Sequence, residues 1–279
     1  MEFIADFYAA SAIAQWHDVR DRIDYVSHYF LGKPYITNPQ GEGPEGEFDQ
    51  APLYRFDGFD CVTYVNTVLA LSLSQSASEF QSNLLTINYY DATPTFENRF
   101  HFMSLDWNPQ NQKNKIVRDI TENFRDENQK PIAVFAEGEI DKPNWFLKKA
   151  EHETPERAAQ LERYAKQFKK TIARMPYLPL TQLFDVNKNP NEFIFNQIPH
   201  ASIIEIVRPN WNLKEKIGTN LHVSHVGFAI RKDNQVYFRH ASSEQKCVVE
   251  VLLSDYLKNA LDSETIKGIN IQKVLADFF

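Results

Sequence analysis

Apolar residues recur at helical spacing from the start of the chain. Ile4, Tyr8, Ile13, Trp16, Val19, Ile23 and Val26 fall on one face and predict a helix over residues 3–29. The stretch GEGPEGEFDQAP then breaks the pattern with three of the nine glycines and two prolines, and reads as a loop. Its acidic residues Glu42, Glu45, Glu47 and Asp49 are expected to face solvent. In FDGFDCVTYVNTVLALSLS, Asp60 is placed to cap a helix that begins near Cys61. That helix is apolar nearly all round, as a central buried helix is.

Residues 107–199 keep no single period. They hold the polar loop NPQNQKNK, a strand candidate in IAVFAEG and an amphipathic helix over 154–174. No linker-like composition brackets them, so they read as an insertion within one domain spanning 1–279. Strand patterns follow in ASIIEIV, HVSHVGFAI, QVYFRHAS and CVVEV, then a short helix in LSDYLKNAL and a last strand in INIQKV. A helix, an insertion and then consecutive strands predict an α+β fold with an antiparallel sheet.

Composition narrows the function. The 279 residues include only 9 glycines, where average usage would give roughly 20. Neither G-x-G-x-x-G nor G-x-x-x-x-G-K occurs, so phosphate-cradling loops are disfavoured. A net charge of −7 argues against nucleic acid as a partner. The uncharged run from Cys61 to Ser78 is rich in polar side chains, so no membrane span is expected. Glu2 and Asp6 stand where a signal peptide carries positive charge, and the N-terminus reads as mature protein. Two cysteines exclude a disulfide scaffold and a four-cysteine zinc site.

Cys61 is the sharpest chemical signal. The first turn of a helix favours a thiolate through its dipole and offers unpaired N–H groups to an oxyanion; the plain alternative is a small buried hydrophobe. A nucleophilic cysteine needs a base and an orienting group. A two- or four-residue turn near Lys232–Gln235 sets His225 opposite Ser242 and Gly227 opposite His240, bringing both histidines to one face. An odd-length turn separates them. Gly227 would then leave room for a substrate or a helix terminus. Strict alternation points His222 away from His225, against a metal-binding H-x-x-H, and leaves Ser224 no base in its neighbour. Cys247 reads as core. In FENRFHFMSLDW, Arg99, His101, Asp106 and Trp107 suit either a binding wall or a structural ion pair.

RFDGFDCVTYV, FENRFHF…DW, HVSHVGF and FRHASS together resemble the NlpC-type papain-like cysteine hydrolases of bacterial cell walls. More narrowly, they resemble an N-acetylmuramoyl-L-alanine amidase-like branch, from about Tyr54 to the C-terminus. The resemblance implies a papain-like core with the sheet packed on the nucleophile helix. It places the nucleophile on Cys61, the base on His225 and the orienting residue on His240. It puts Asp60, Arg99 and His101 at the substrate, and Ser224 and Ser242 are counted with them. Two departures stand out: Ala201-Ser202 where relatives show Gly-Asp, and Asn66 where the branch carries an acid. The implied substrate is a peptidoglycan fragment, a muropeptide, cut between the lactyl group and L-alanine without metal or other cofactor. The implied compartment is periplasmic or exported, with a cytoplasmic setting as the alternative. Competing readings are an endopeptidase cutting between D-glutamate and the diamino acid, a non-catalytic glycan- or peptide-binding module built on Trp107, Trp145 and Trp211, and a histidine metal site.

Overall fold

The computed structural model describes residues 2–10 and 18–275. Helix α1 (Glu2–Ala10) carries the first part of the amphipathic stripe, with Ile4 and Phe7 buried. The single helix expected over 3–29 does not run through. Asp18 is extended, accepts a bond from the Arg20 N–H, and starts a separate helix α2 (Val19–Tyr29). A short polar residue that bonds its own downstream backbone favours such a restart. Ile13 and Trp16 lie outside the described residues.

Helix α3 (Cys61–Ser72) buries every residue from Tyr64 to Ser72, as its pattern predicts, and α4 (Ala77–Asn88) follows. The middle of the chain forms α5 (Asn108–Lys113), β1 (Val117–Asp119), β2 (Val134–Ile140), α6 (Lys142–Ala150), α7 (Pro155–Ala165) and β3 (Thr171–Pro179). The expected helix over 154–174 therefore ends early. Residues 171–174 pair instead with Glu137–Ile140 of β2, and the sheet ladder outweighs helical spacing there. Strands β4 (Ser202–Asn212), β5 (Asn220–Lys232), β6 (Gln235–Ser242), β7 (Cys247–Leu252) and β8 (Gly268–Val274) complete the chain, with the short helix Leu253–Lys258 before β8.

All the strands join one antiparallel sheet in the order β2-β3-β8-β4-β5-β6-β7, with β1 on β8. Mid-chain strands β2 and β3 thus extend the sheet made by the C-terminal ones. The two-residue period divides the core. Ile203, Val226, Phe228 and Ile230 pack with α2 and α3 on one face, whereas Ile204, Ile206, Ala229 and Phe238 pack with Leu253 and Leu257 on the other. Arg239, fully buried, ties α2 to the sheet through Asp24 (2.8 Å) and Glu250 (2.8 Å). A charge buried this deeply needs both partners, and its residue directly precedes His240.

Glu205 of β4 is also fully buried and has no cation beside it among the described residues. Asn108 Nδ2 donates to its Oε2 (3.0 Å), and burial pushes the carboxyl up to about 8. Glu205 Oε1 and Asn108 Oδ1 are both buried without a partner among the described residues, an environment that favours the neutral acid over the carboxylate. The folded state then holds a proton that the unfolded chain, at an ordinary value of 4.5, releases. Stability is fully present below that value and falls as pH rises towards about 8. Glu205→Gln keeps one donor and one acceptor, and should remove most of this fall in denaturant titrations at pH 5 and pH 8. Equal pH sensitivity in the variant would contradict the neutral carboxyl.

Candidate active site

Cys61 opens α3, and the backbone before it is fixed by a capping box. The Thr63 N–H donates to Asp60 Oδ1 (2.8 Å) and the Asp60 N–H donates to Thr63 Oγ1 (3.0 Å). The Asp60 carboxylate is therefore occupied by the helix end, and burial raises its pKa. The half-buried Cys61 thiol is not the low-pKa thiolate that helix position alone suggests. Burial and the adjacent Asp60 charge push it up to about 12, against the backbone amides of Val226, Val62 and Cys61 that favour the anion. Desolvation outweighs the dipole here.

The sheet register sets the histidines as the hairpin arithmetic predicts. Asp233 and Asn234, at φ 49° and 63°, form a two-residue turn of the primed kind, and Lys232 faces Gln235. The ladder runs to Phe228 opposite Arg239, which leaves Gly227 beside His240. His225 Nε2 lies 2.7 Å from His240 Nδ1 with the rings perpendicular at 89°. Gly227 has a different use from the one expected. A Cβ there would lie 2.7 Å from both Arg239 O and His240 Cβ, so the missing side chain admits the neighbouring strand and leaves no room for a ligand. Phe238 and Tyr256 close around the pair, Tyr256 stacking over His225 at 6.3 Å. Burial lowers the His225 imidazole to about 4 and that of His240 to about 3. Both rings are neutral at neutral pH.

Cys61 and His225 border one cavity of about 120 Å³, together with His101, Ser104, His222 and Ser224. His222 was expected on the opposite face of the strand. The register of β5 against β4 slips by one residue at Ser224, since Ile206 faces His225 but Val207 faces Val223. That bulge breaks the alternation and brings His222 and His225 to the same cavity. His222 is nevertheless engaged by Ser104 Oγ at 3.1 Å, and no cluster of three or more His, Cys, Asp or Glu suited to a metal occurs among the described residues.

A second cavity, about 310 Å³, adjoins the first through Val62 and His101 and is bordered by Asp60, Arg99, Trp145 and Lys149. Arg99 reaches it but is already paired. Its Nε donates to Glu42 Oε1 at 2.7 Å and its Nη2 to Asp49 Oδ2 at 3.2 Å. Glu42, expected in solvent, is buried by this pairing. His101 Nε2 bonds Phe96 O at 2.7 Å and its ring packs on Trp145 at 4.5 Å. Burial and the nearby Arg99 and Lys142 hold it well below the usual imidazole range.

Asp106 and Trp107 of FENRFHFMSLDW border neither cavity and are structural. Asp106 pairs with buried Lys142 at 3.2 Å, and Trp107 is buried with its Nε1 on Asn66 Oδ1 at 2.9 Å. Asn66 also donates to Asn88 Oδ1 at 2.6 Å, a double role that an ionised acid cannot fill. Of the three tryptophans considered, only Trp145 borders either cavity. Ser242 borders neither: its Oγ accepts from the Gln245 N–H (3.0 Å) and shapes the β6–β7 turn. Cys247 is free and half-buried at the start of β7, outside the core clusters. No sequence signal marks Tyr256, Ser104 or the buried Lys142; each meets its partner only through the tertiary fold.

Asp60→Asn keeps a capping oxygen and removes the charge that opposes the Cys61 thiolate. The variant should melt within a few degrees of the wild type, while Cys61 alkylation by iodoacetamide at pH 8 becomes several-fold faster. Mass spectrometry of the Cys61 peptide reads that rate, and an unchanged rate would contradict the electrostatic assignment.

Residues 25–266 match the N-acetylmuramoyl-L-alanine amidase-like family. Among solved structures, protein LPG0564 from Legionella pneumophila, of family DUF1460, is 43% identical. It superposes with a TM-score of 0.93 over 98% of this chain and 94% of that one. An N-acetylmuramoyl-L-alanine amidase from Bacteroides uniformis is 24% identical with a TM-score of 0.64, over 92% of this chain and 98% of that one, a likeness of fold. No curated protein matches the chain. With the match covering most of its length, the chain belongs to the N-acetylmuramoyl-L-alanine amidase-like family.

Proposed function

We propose that the protein is a cysteine-dependent peptidoglycan amidase of the NlpC, papain-like type, with Cys61 as nucleophile, His225 as base and His240 as orienting group. The observation that carries this reading is the 2.7 Å contact between His225 Nε2 and His240 Nδ1 beside the cavity that Cys61 borders. With Nε2–H donated to His240, His225 keeps its Nδ1 lone pair free for the thiol proton. Family membership and the fold of a muramoyl-alanine amidase support the class of reaction.

In this mechanism His225 takes the Cys61 proton as sulfur attacks the amide carbonyl, and the Cys61 N–H at the helix start helps hold the oxyanion. The imidazolium protonates the leaving amine, a thioester remains, and water activated by His225 releases the acid. Because both partners rest neutral, proton transfer accompanies attack. Of the two cavities, the larger, with Trp145 on its wall, is the better fit to the bulkier side of a muropeptide. The bond cut is the amide between the lactyl group and L-alanine, a substrate that suits a periplasmic or exported enzyme, with a cytoplasmic setting as the alternative.

Digestion of a muramoyl tripeptide, with fragments weighed by mass spectrometry, tests the reading. The expected product is the free L-alanyl peptide, absent with Cys61→Ala although that variant melts like the wild type. An intact muramoyl dipeptide would assign the endopeptidase reaction instead. No cleavage by the wild type, or full cleavage by Cys61→Ala, would overturn the mechanism.

The pH profile follows from the lowered His225. Its neutral, base-competent form prevails above about 4, so kcat/KM should rise through that region and stay level across neutral pH. An acid limb at the ordinary imidazole value of 6.5 would contradict the buried neutral pair.

A further inference from the structure

Arg208 lies behind Tyr256, the ring that stacks on His225, and no carboxylate among the described residues answers its charge. It lies in β4 two residues beyond Ile206, the partner of His225. Of the other cations by the site, Arg99 is paired with Glu42 and Asp49 and Lys142 with Asp106, while Lys149, on the wall of the second cavity, lies over the Phe96 ring at 5.6 Å. Among the described residues no carboxylate meets Arg208. Its guanidinium rests on the Trp211 ring at 4.6 Å, one nitrogen bonds the Thr265 hydroxyl, and its Nε is buried without a hydrogen-bond partner. Tyr256 links it to the chemistry: its hydroxyl feels both the Arg208 charge and Cys61, and its ring stacks on His225 at 21°. A half-buried guanidinium, flat against an aromatic face and short of acceptors, presents the fork that planar carboxylates occupy bidentately.

We propose that Arg208 is a substrate-positioning residue that binds a carboxylate of the stem peptide. The site then selects peptides with a free carboxylate near the scissile amide over their carboxamide counterparts. This deepens the amidase reading and rests on it. A carboxylate docked there completes the hydrogen bonding of the guanidinium and anchors the peptide beside Tyr256, holding the amide at Cys61. A carboxamide carries no charge and offers only one oxygen, so discrimination of about tenfold or more is expected.

The test compares kcat/KM for muramoyl-L-alanyl-D-glutamate and muramoyl-L-alanyl-D-isoglutamine, each with its γ-carboxyl blocked as the methylamide so that only the α-group differs, in the wild type, Arg208→Gln and Arg208→Lys. The wild type should prefer the acid by about tenfold or more, chiefly through KM. Arg208→Gln should bring the ratio close to one, and Arg208→Lys should restore part of it. A merely structural arginine would lower the melting temperature and both rates together and leave the ratio unchanged. A wild-type ratio near one, or the same ratio in wild type and Arg208→Gln, overturns the proposal while leaving the amidase reading intact. Cleavage of neither substrate by the wild type overturns the amidase reading itself, and this inference with it.

Discussion

The hydrogen bond between His225 and His240 depends on the register of one hairpin, and the candidate chemistry depends on that bond. Two residues in the left-handed region, Asp233 and Asn234, close the β5–β6 turn. Because side chains alternate with a period of two, one residue more or less would send His240 to the other face. Gly227 then lets the strands approach closely enough for the rings to meet. Arg239, locked between Asp24 and Glu250, pins the backbone next to His240. Three separate features therefore enforce a single contact of 2.7 Å.

Burial is the second constraint, and it sets how the site can work. A thiol pushed up to about 12 beside an imidazole lowered to about 4 is a neutral pair at rest. The helix start still offers amide donors, but desolvation and the Asp60 charge outweigh them in the free protein. Those donors become useful when negative charge moves onto a substrate oxygen, which is where transition-state stabilisation is needed. The same preference for neutral or paired groups recurs in protonated Glu205 away from the site and in the pairs Glu42–Arg99 and Asp106–Lys142 around it.

What the sequence disclosed was whatever local rules govern. The cap at Asp60, the buried helix after it, the C-terminal strands and the even length of the β5–β6 turn are all set by neighbours in the chain, and all stand where expected. The errors arise where distant segments intervene. Glu42 reads as solvated because Arg99 is 57 residues away. His222 reads as facing away because a bulge at Ser224 leaves no mark in the hydrophobic pattern. Residues 171–174 read as helix because their spacing suits one, until β2 supplies a ladder. Ser242 stands next to the right residues, yet its hydroxyl belongs to a turn. Tyr256 sits in a short helix whose sequence says nothing of the histidines above which it stacks.

The most direct test of the central claim is the protonation pattern of the two rings, read by nitrogen-15 NMR of imidazole-labelled protein at pH 7. The account predicts two neutral histidines, with His225 protonated at Nε2 and bare at Nδ1, and a hydrogen bond from that Nε2–H to His240 Nδ1. A His225 protonated at Nδ1, or an imidazolium at either position in the resting protein, would contradict it.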